Sequence, residues 1–265
     1  MIKTVFPKHG RISCNKCFPN GEQQIKIGNW RMRNNPGAWG SSEPEIIVLG
    51  FSKGATQANI YENGKFEDVP FGGKRSRENL TNILRCVGIL KESENVDDKI
   101  GDSERTFAFG SLIRCSLARY DKKKSAYATS GTLINKSFSE IPELIKICAN
   151  TFLADISSSV RLVLMLGTAD PYIKHCKNTV KSLYPDEFEE FNIVAYGTGH
   201  ILWVHLTHPS PVNGTVKSWL NSEGKSGIKM NEAKNIIRFR GLAKGKYPGT
   251  EQAKKLRNPK LNTTF

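Results

Sequence analysis

The residues of this chain that could do chemistry fall into two sets. The first is scattered: Ser52 and Lys53 in Gly50-Phe51-Ser52-Lys53-Gly54, Phe71 in Val69-Pro70-Phe71-Gly72-Gly73, Ser111 after Gly110, and His208 in Thr207-His208-Pro209-Ser210-Pro211-Val212-Asn213. An imidazole in a turn stiffened by prolines can donate one hydrogen bond to charge building up on a substrate oxygen, worth about 3 kcal/mol in a dry site. A ring beside a glycine turn can stack on a planar ligand. A serine hydroxyl can orient water or a polar edge, although it is a poor base near neutral pH. The second set is four cysteines, Cys14 and Cys17 at CxxC spacing, then Cys115 and Cys148. Four thiolates suffice to close a metal site, and zinc and an iron–sulfur cluster are both satisfied by that donor set. Cys86 and Cys176 read as core or inert thiols.

These residues need a scaffold, and the hydrophobic pattern supplies one. Four short apolar runs, residues 45–50, 106–115, 160–167 and 201–207, read as buried strands. Small residues interrupt the second at Gly110 and Ser111, a mark of close approach by a ligand or another backbone. Leu80, Ile83, Leu84 and Val87 keep helical spacing up to Gly88. A second helix is expected over about 139–156, capped by Ser139, and a third ends near Lys181. Strands alternating with helices predict an α/β fold of three layers, α/β/α, around a central, mainly parallel four-stranded sheet. Ligands of such sheets bind outside the carboxyl ends of the strands, where His208 is expected. Residues 11–44 read as an irregular lead-in that a metal could clip, residues 120–137 as a basic surface loop, and residues 231–265 as a basic extension of a 1–230 domain.

The chain has 265 residues, with 39 Lys plus Arg against 25 Asp plus Glu, a net charge of +14. An excess of that size favours an extended anionic partner such as nucleic acid. No apolar run approaches the roughly 20 residues that span a bilayer, and no secretory signal opens the chain, so a monomeric, intracellular, cytoplasmic protein without a membrane partner is expected.

Taken in order, seven segments resemble the uracil-DNA glycosylase superfamily, especially its iron–sulfur branch. They are Cys14/Cys17, Gly50 to Gly54, Pro70-Phe71-Gly72-Gly73, Arg114-Cys115, Cys148, Leu166-Gly167 and His208-Pro209-Ser210. The resemblance covers most of residues 14–214 and implies a 4Fe-4S cluster on Cys14, Cys17, Cys115 and Cys148, in a structural role. It implies that Phe71 stacks on a base turned out of the duplex and that His208 stabilises charge on the base oxygen. Ser210 would brace the turn or touch a phosphate, and Val212 or Asn213 would enter the base stack. Phe51 and Ser111 would line the base pocket.

Two departures bear on the reaction. Relatives carry an acidic residue or Asn in the first loop to handle water, whereas this loop offers Ser52, with Lys53 in place of proline. Lys53 would contact phosphate or, alternatively, attack the sugar as an amine. Ser111 stands near the position where some relatives use Asn to read uracil, leaving a larger pocket. The implied activity is hydrolysis of the N-glycosidic bond of uracil or a modified pyrimidine, leaving an abasic site. Antiviral removal of hypermodified phage bases, and a non-catalytic DNA- or lesion-binding role, are the alternatives.

Overall fold

The structure is a computed structural model that describes residues 6–129 and 131–243. In chain order its elements begin with β1 (Gly10–Arg11), β2 (Gln24–Ile27), β3 (Trp30–Arg33), β4 (Gly37–Gly40), β5 (Ile46–Gly50), α1 (Ala55–Asn63) and α2 (Lys74–Cys86). Next come β6 (Phe107–Ser111), β7 (Ser116–Asp121), β8 (Ala126–Ala128), α3 (Gly131–Glu140), α4 (Pro142–Phe152), β9 (Leu162–Leu166) and α5 (Asp170–Leu183). The last are β10 (Phe188–Asn192), β11 (Ala195–Thr198), β12 (Ile201–Leu206), α6 (Thr215–Leu220) and α7 (Gly224–Phe239).

The protein is α/β, but its sheet is larger and more mixed than expected. Among the described residues, eight strands order as β1-β4-β6-β5-β9-β12-β11-β10. The four apolar runs form the centre, β6-β5-β9-β12, joined by three parallel pairings. The flanks add four antiparallel pairings. The expectation of a four-stranded, mainly parallel sheet is therefore corrected. The flanking strands Gly-Ala-Trp-Gly and Phe-Glu-Glu-Phe-Asn carry no continuous apolar run, so period and hydropathy give them no signal. Alternation along the central strands sends Val48 and Leu164 to one face, packed with residues of α2, α6 and α7, and Ile47, Leu49 and Met165 to the other, packed with α4 and α5.

Several boundaries move. The lead-in is not irregular: β2 and β3 join β7 and β8 in a second, four-stranded sheet, and β1 and β4 extend the main one. Residues 120–137 are the end of β7, β8 and the start of α3 rather than a loop. The single helix expected over 139–156 is two, broken where Ile141 adopts φ −141° and Pro142 opens α4, so Ser139 lies within α3 and caps nothing. α7 runs through the expected boundary at 230, and its Ala233 and Ile237 are wholly buried, so that helix belongs to the domain. Residues 244–265 of the basic extension lie outside the described residues. Among the described residues, no helix is long and apolar enough to cross a membrane.

Candidate functional site

The carboxyl ends of β5, β6, β9 and β12 lie along one edge of the sheet, because the register pairs Gly50 with Ser111, Leu49 with Met165, and Leu206 with Leu166. The chain leaves β12 through Thr207 directly into His208. Here the backbone N–H of Ser210 donates to His208 Nδ1 at 3.2 Å. An accepting Nδ1 places the proton of the neutral ring on Nε2, a donor without a hydrogen-bond partner among the described residues. Solvent reaches the ring, yet the protein packed around it disfavours the charged form and lowers its pKa from 6.5 to about 4. His208 is thus a neutral Nε2–H donor at physiological pH. Asn213 holds the turn: its Nδ2 donates to His208 O at 2.6 Å and Thr207 Oγ1 at 3.1 Å, while its Oδ1 accepts from the Thr215 hydroxyl at 3.0 Å. Spent on these bonds, Asn213 is a brace rather than a wedge. Val212 beside it is 94% exposed, an apolar side chain at the tip of a rigid turn.

Phe71 arrives from the loop before α2 and is buried, 9% exposed, in the core cluster on that face of the sheet. It has φ 54°, a left-handed conformation costly for an aromatic residue, and its ring packs edge-on to Phe109 with centroids 6.0 Å apart. The surroundings hold this geometry. Arg77 donates to Pro70 O at 3.1 Å and to Glu67 O, and pairs with Asp97 at 2.7 Å. Gln57 bridges two loops, accepting from Gly54 N at 3.1 Å and donating to Val69 O at 3.1 Å. Asn79 Nδ2, one turn into α2, donates to Pro209 O at 2.9 Å. The Ser52, Phe71 and His208 loops are therefore stitched into one unit by Gln57, Arg77 and Asn79. Only Asn79 and Gln57 span between loops, and nothing in the sequence singled them out, because a polar residue on a helix carries no signal of its partner. Asp170, the first residue of α5, adds a carboxylate beyond the end of β9, paired with Lys229 at 2.5 Å.

Other expected residues are placed differently. Lys53 cannot meet a phosphate: it is 2% exposed, its ammonium donates to Arg114 O, and it lies 5.6 Å from the centre of the Tyr61 ring. Burial lowers its pKa to about 8. The same enclosure removes it as a nucleophile toward a sugar. Phe51 is 4% exposed and packs against Phe138 and Tyr172, on the opposite face of the sheet from Phe71, so its ring is a core element rather than a pocket wall. Ser52, Ser111 and Ser210 are half-buried, in the first loop, at the last position of β6 and in the His208 turn. The small residue at Gly110 admits a neighbour other than a ligand: a Cβ there would stand 1.9 Å from Arg114 Nη1.

That arginine leads to the second site. Cys14, Cys17, Cys115 and Cys148 all line one small cavity of about 10 Å³, together with Arg114, Met32 and Phe18. The lead-in supplies the first two thiols, the β6–β7 corner the third and α4 the fourth. Burial pushes the Cys17 thiol up to about 11 and Cys115 to about 12, and raises Cys148 also. The Arg114 backbone N–H donates to Cys148 Sγ at 3.2 Å. The guanidinium of Arg114, 1% exposed, lies over the Phe6 ring at 4.5 Å, and its Nε and Nη2 have no hydrogen-bond partner. Two buried cations, Arg114 and Lys53, thus adjoin four thiols. Unbalanced buried charge is costly, and a metal centre held by four thiolates carries the negative charge that would offset it. The donor set and the orphaned guanidinium fit such a group. Among the described residues, no group of three or more His, Cys, Asp or Glu closes tightly enough to hold a metal ion.

In comparisons with known proteins, no family model and no curated protein matches the chain.

Proposed function

We propose that the chain is a DNA glycosylase of the uracil-DNA glycosylase type, hydrolysing the N-glycosidic bond of uracil or a modified pyrimidine and leaving an abasic site. The observation that carries this reading is the state of His208: a neutral imidazole, oriented by the Ser210 N–H to present Nε2–H at the sheet edge, tied through Asn79 to the loop that bears Phe71.

Breaking the bond between sugar and base leaves the electron pair on the base nitrogen, from which negative charge spreads to the carbonyl oxygens of the base. A neutral N–H donor stabilises that charge as it forms, and its fixed turn means little reorganisation during the step. Phe71 is 9% exposed and packed in the core, so stacking on an extruded base would require the loop that carries it to uncover a face of the ring. Val212 is suited to fill the gap left in the stack. The sugar cation is then captured by water. Ser52 orients that water through its hydroxyl, and the departing base, being the stronger base of the two, takes up the proton. A serine at position 111, shorter than the Asn of some relatives, suits a modified pyrimidine and makes defence against phage DNA a coherent role.

The four cysteines would hold a 4Fe-4S cluster, supplying cross-links among the lead-in, the β6–β7 corner and α4. Four cysteines satisfy either a 4Fe-4S cluster or zinc, and the resemblance to the iron–sulfur branch is what favours the cluster. A brown protein with a broad visible band supports the cluster, and a colourless one with a stoichiometric zinc content refutes it. The activity is tested by incubating the protein with duplexes carrying one uracil or one modified cytosine and cleaving abasic sites with alkali. Strand cleavage dependent on His208 supports the assignment; DNA binding with no cleavage on any base favours the non-catalytic alternative.

A further inference from the structure

The second sheet is not needed to build the site just described, and its outward face has a distinct composition. Register places Lys26 opposite Arg31, Arg31 opposite Ala118, and Tyr120 opposite Tyr127, all on one face. The other face, with Trp30, Met32 and Leu117, is buried in the core. On the outer face the Arg31 guanidinium stacks over the Tyr127 ring at 4.0 Å, and Tyr127 meets Tyr120 edge-on with centroids 5.5 Å apart. Both tyrosines and Arg31 are half-exposed, and Lys26 and the β7–β8 turn, Lys122 to Lys124, are exposed.

The nearby carboxylates are already committed elsewhere. Glu140 takes a two-pronged bond from Arg119 and a third from the Trp30 indole, Glu62 pairs with Arg33, and Asp121 accepts from the Lys123 backbone. Among the described residues, Lys26, Arg31 and Lys122 to Lys124 have no acidic partner. The face also adjoins the site. Lys53 forms a backbone bridge with Ser116 at the root of β7, and the Thr129 hydroxyl, just past β8, stands 3.6 Å from where a Cβ on Gly54 would be.

We infer that this face binds single-stranded DNA, with Arg31 and the tyrosines as a stacking platform for unpaired bases and the lysines as phosphate ligands. Unbalanced cations interleaved with accessible π-faces are what a single strand recognises, since each nucleotide offers a base to stack and a phosphate to neutralise. A duplex keeps its bases inside and would use only the charges. Naming DNA as the partner rests on the glycosylase reading; the location of the face and its stacking chemistry do not.

The test measures binding of the full chain to a fluorescent oligothymidine and to a duplex of the same length, across a salt series. Arg31→Ala combined with Tyr120→Ala is expected to weaken oligothymidine binding tenfold or more while changing duplex binding less than threefold. Because that pair could disturb packing, a Lys122→Ser, Lys123→Ser, Lys124→Ser variant, confined to an exposed turn, is measured beside it. It is expected to lower the salt slope by about 0.7 for each phosphate that is no longer neutralised. Unchanged oligothymidine affinity in both variants, or an equal loss on duplex, overturns the inference. Loss of oligothymidine binding in a protein that excises no base would leave this face standing while the glycosylase reading fails, so the two are separable.

Discussion

His205 and His208 stand three residues apart and carry their protons on opposite nitrogens. Inside the sheet, His205 is wholly buried, with Nδ1 3.0 Å from Gly167 O and Nε2 3.2 Å from the Tyr196 hydroxyl. A carbonyl can only accept, so Nδ1 bears the proton and Nε2 takes the tyrosine's. Just beyond the strand, Nδ1 of His208 accepts instead, from a backbone N–H, and Nε2–H has no partner among the described residues. Both rings are held neutral by desolvation, with pKa values lowered to about 4. The difference is that one ring has both nitrogens satisfied by the fold and the other has one donor left over. A satisfied imidazole is structure; an oriented donor with nothing to bind is available for chemistry.

The contrast is broken most severely by His208→Ala. Removing the donor is expected to slow base excision by 10²–10³-fold, about 3–4 kcal/mol, with the urea midpoint within error of the parent. His205→Ala should behave in the opposite way. It strands the Tyr196 hydroxyl and the Gly167 carbonyl in the core and is expected to cost about 2–3 kcal/mol of stability, read by urea unfolding, while excision by the folded fraction persists. A rate collapse in His205→Ala without loss of stability would erase the distinction.

Acid sharpens it further. Above pH 6.5 the His205 ring is neutral both folded and unfolded and contributes no pH dependence. As pH falls below 6.5 the unfolded chain takes up a proton that the folded ring refuses until about pH 4. Stability is therefore lost in that window, by about 2 kcal/mol between pH 7 and pH 5. His205→Gln should flatten this slope. The smallest effect is expected at the stitch: Asn79→Ala frees Pro209 O and should lower excision about tenfold, about 1.4 kcal/mol, without moving the melting temperature by more than a few degrees.

What could be read from the sequence follows how local each signal is. The four central strands announced themselves by continuous apolar runs, and α2 by the spacing of Leu80, Ile83 and Leu84, because burial on both faces or on one stripe writes itself into consecutive residues. β4, β10 and β11 left no such trace; they exist because a neighbouring strand offers its edge. Cys14, Cys17, Cys115 and Cys148 could be proposed as a set by residue type alone, and the structure brings them to one cavity. Lys53 shows the limit: its charge argued for the surface, and only the packing of β5, β7 and Tyr61 around it puts it inside.

By itself, then, the sequence determined the positive charge, the apolar centre of an α/β sheet, the thiol set and the presence of an imidazole at a strand end, since composition and short-range pattern specify those. The tertiary structure decided which cations are buried, which loops meet, and which nitrogen of His208 holds its proton. Those depend on hydrogen bonds between residues such as Asn79 and Pro209, 130 positions apart, and no local pattern encodes a partner at that distance.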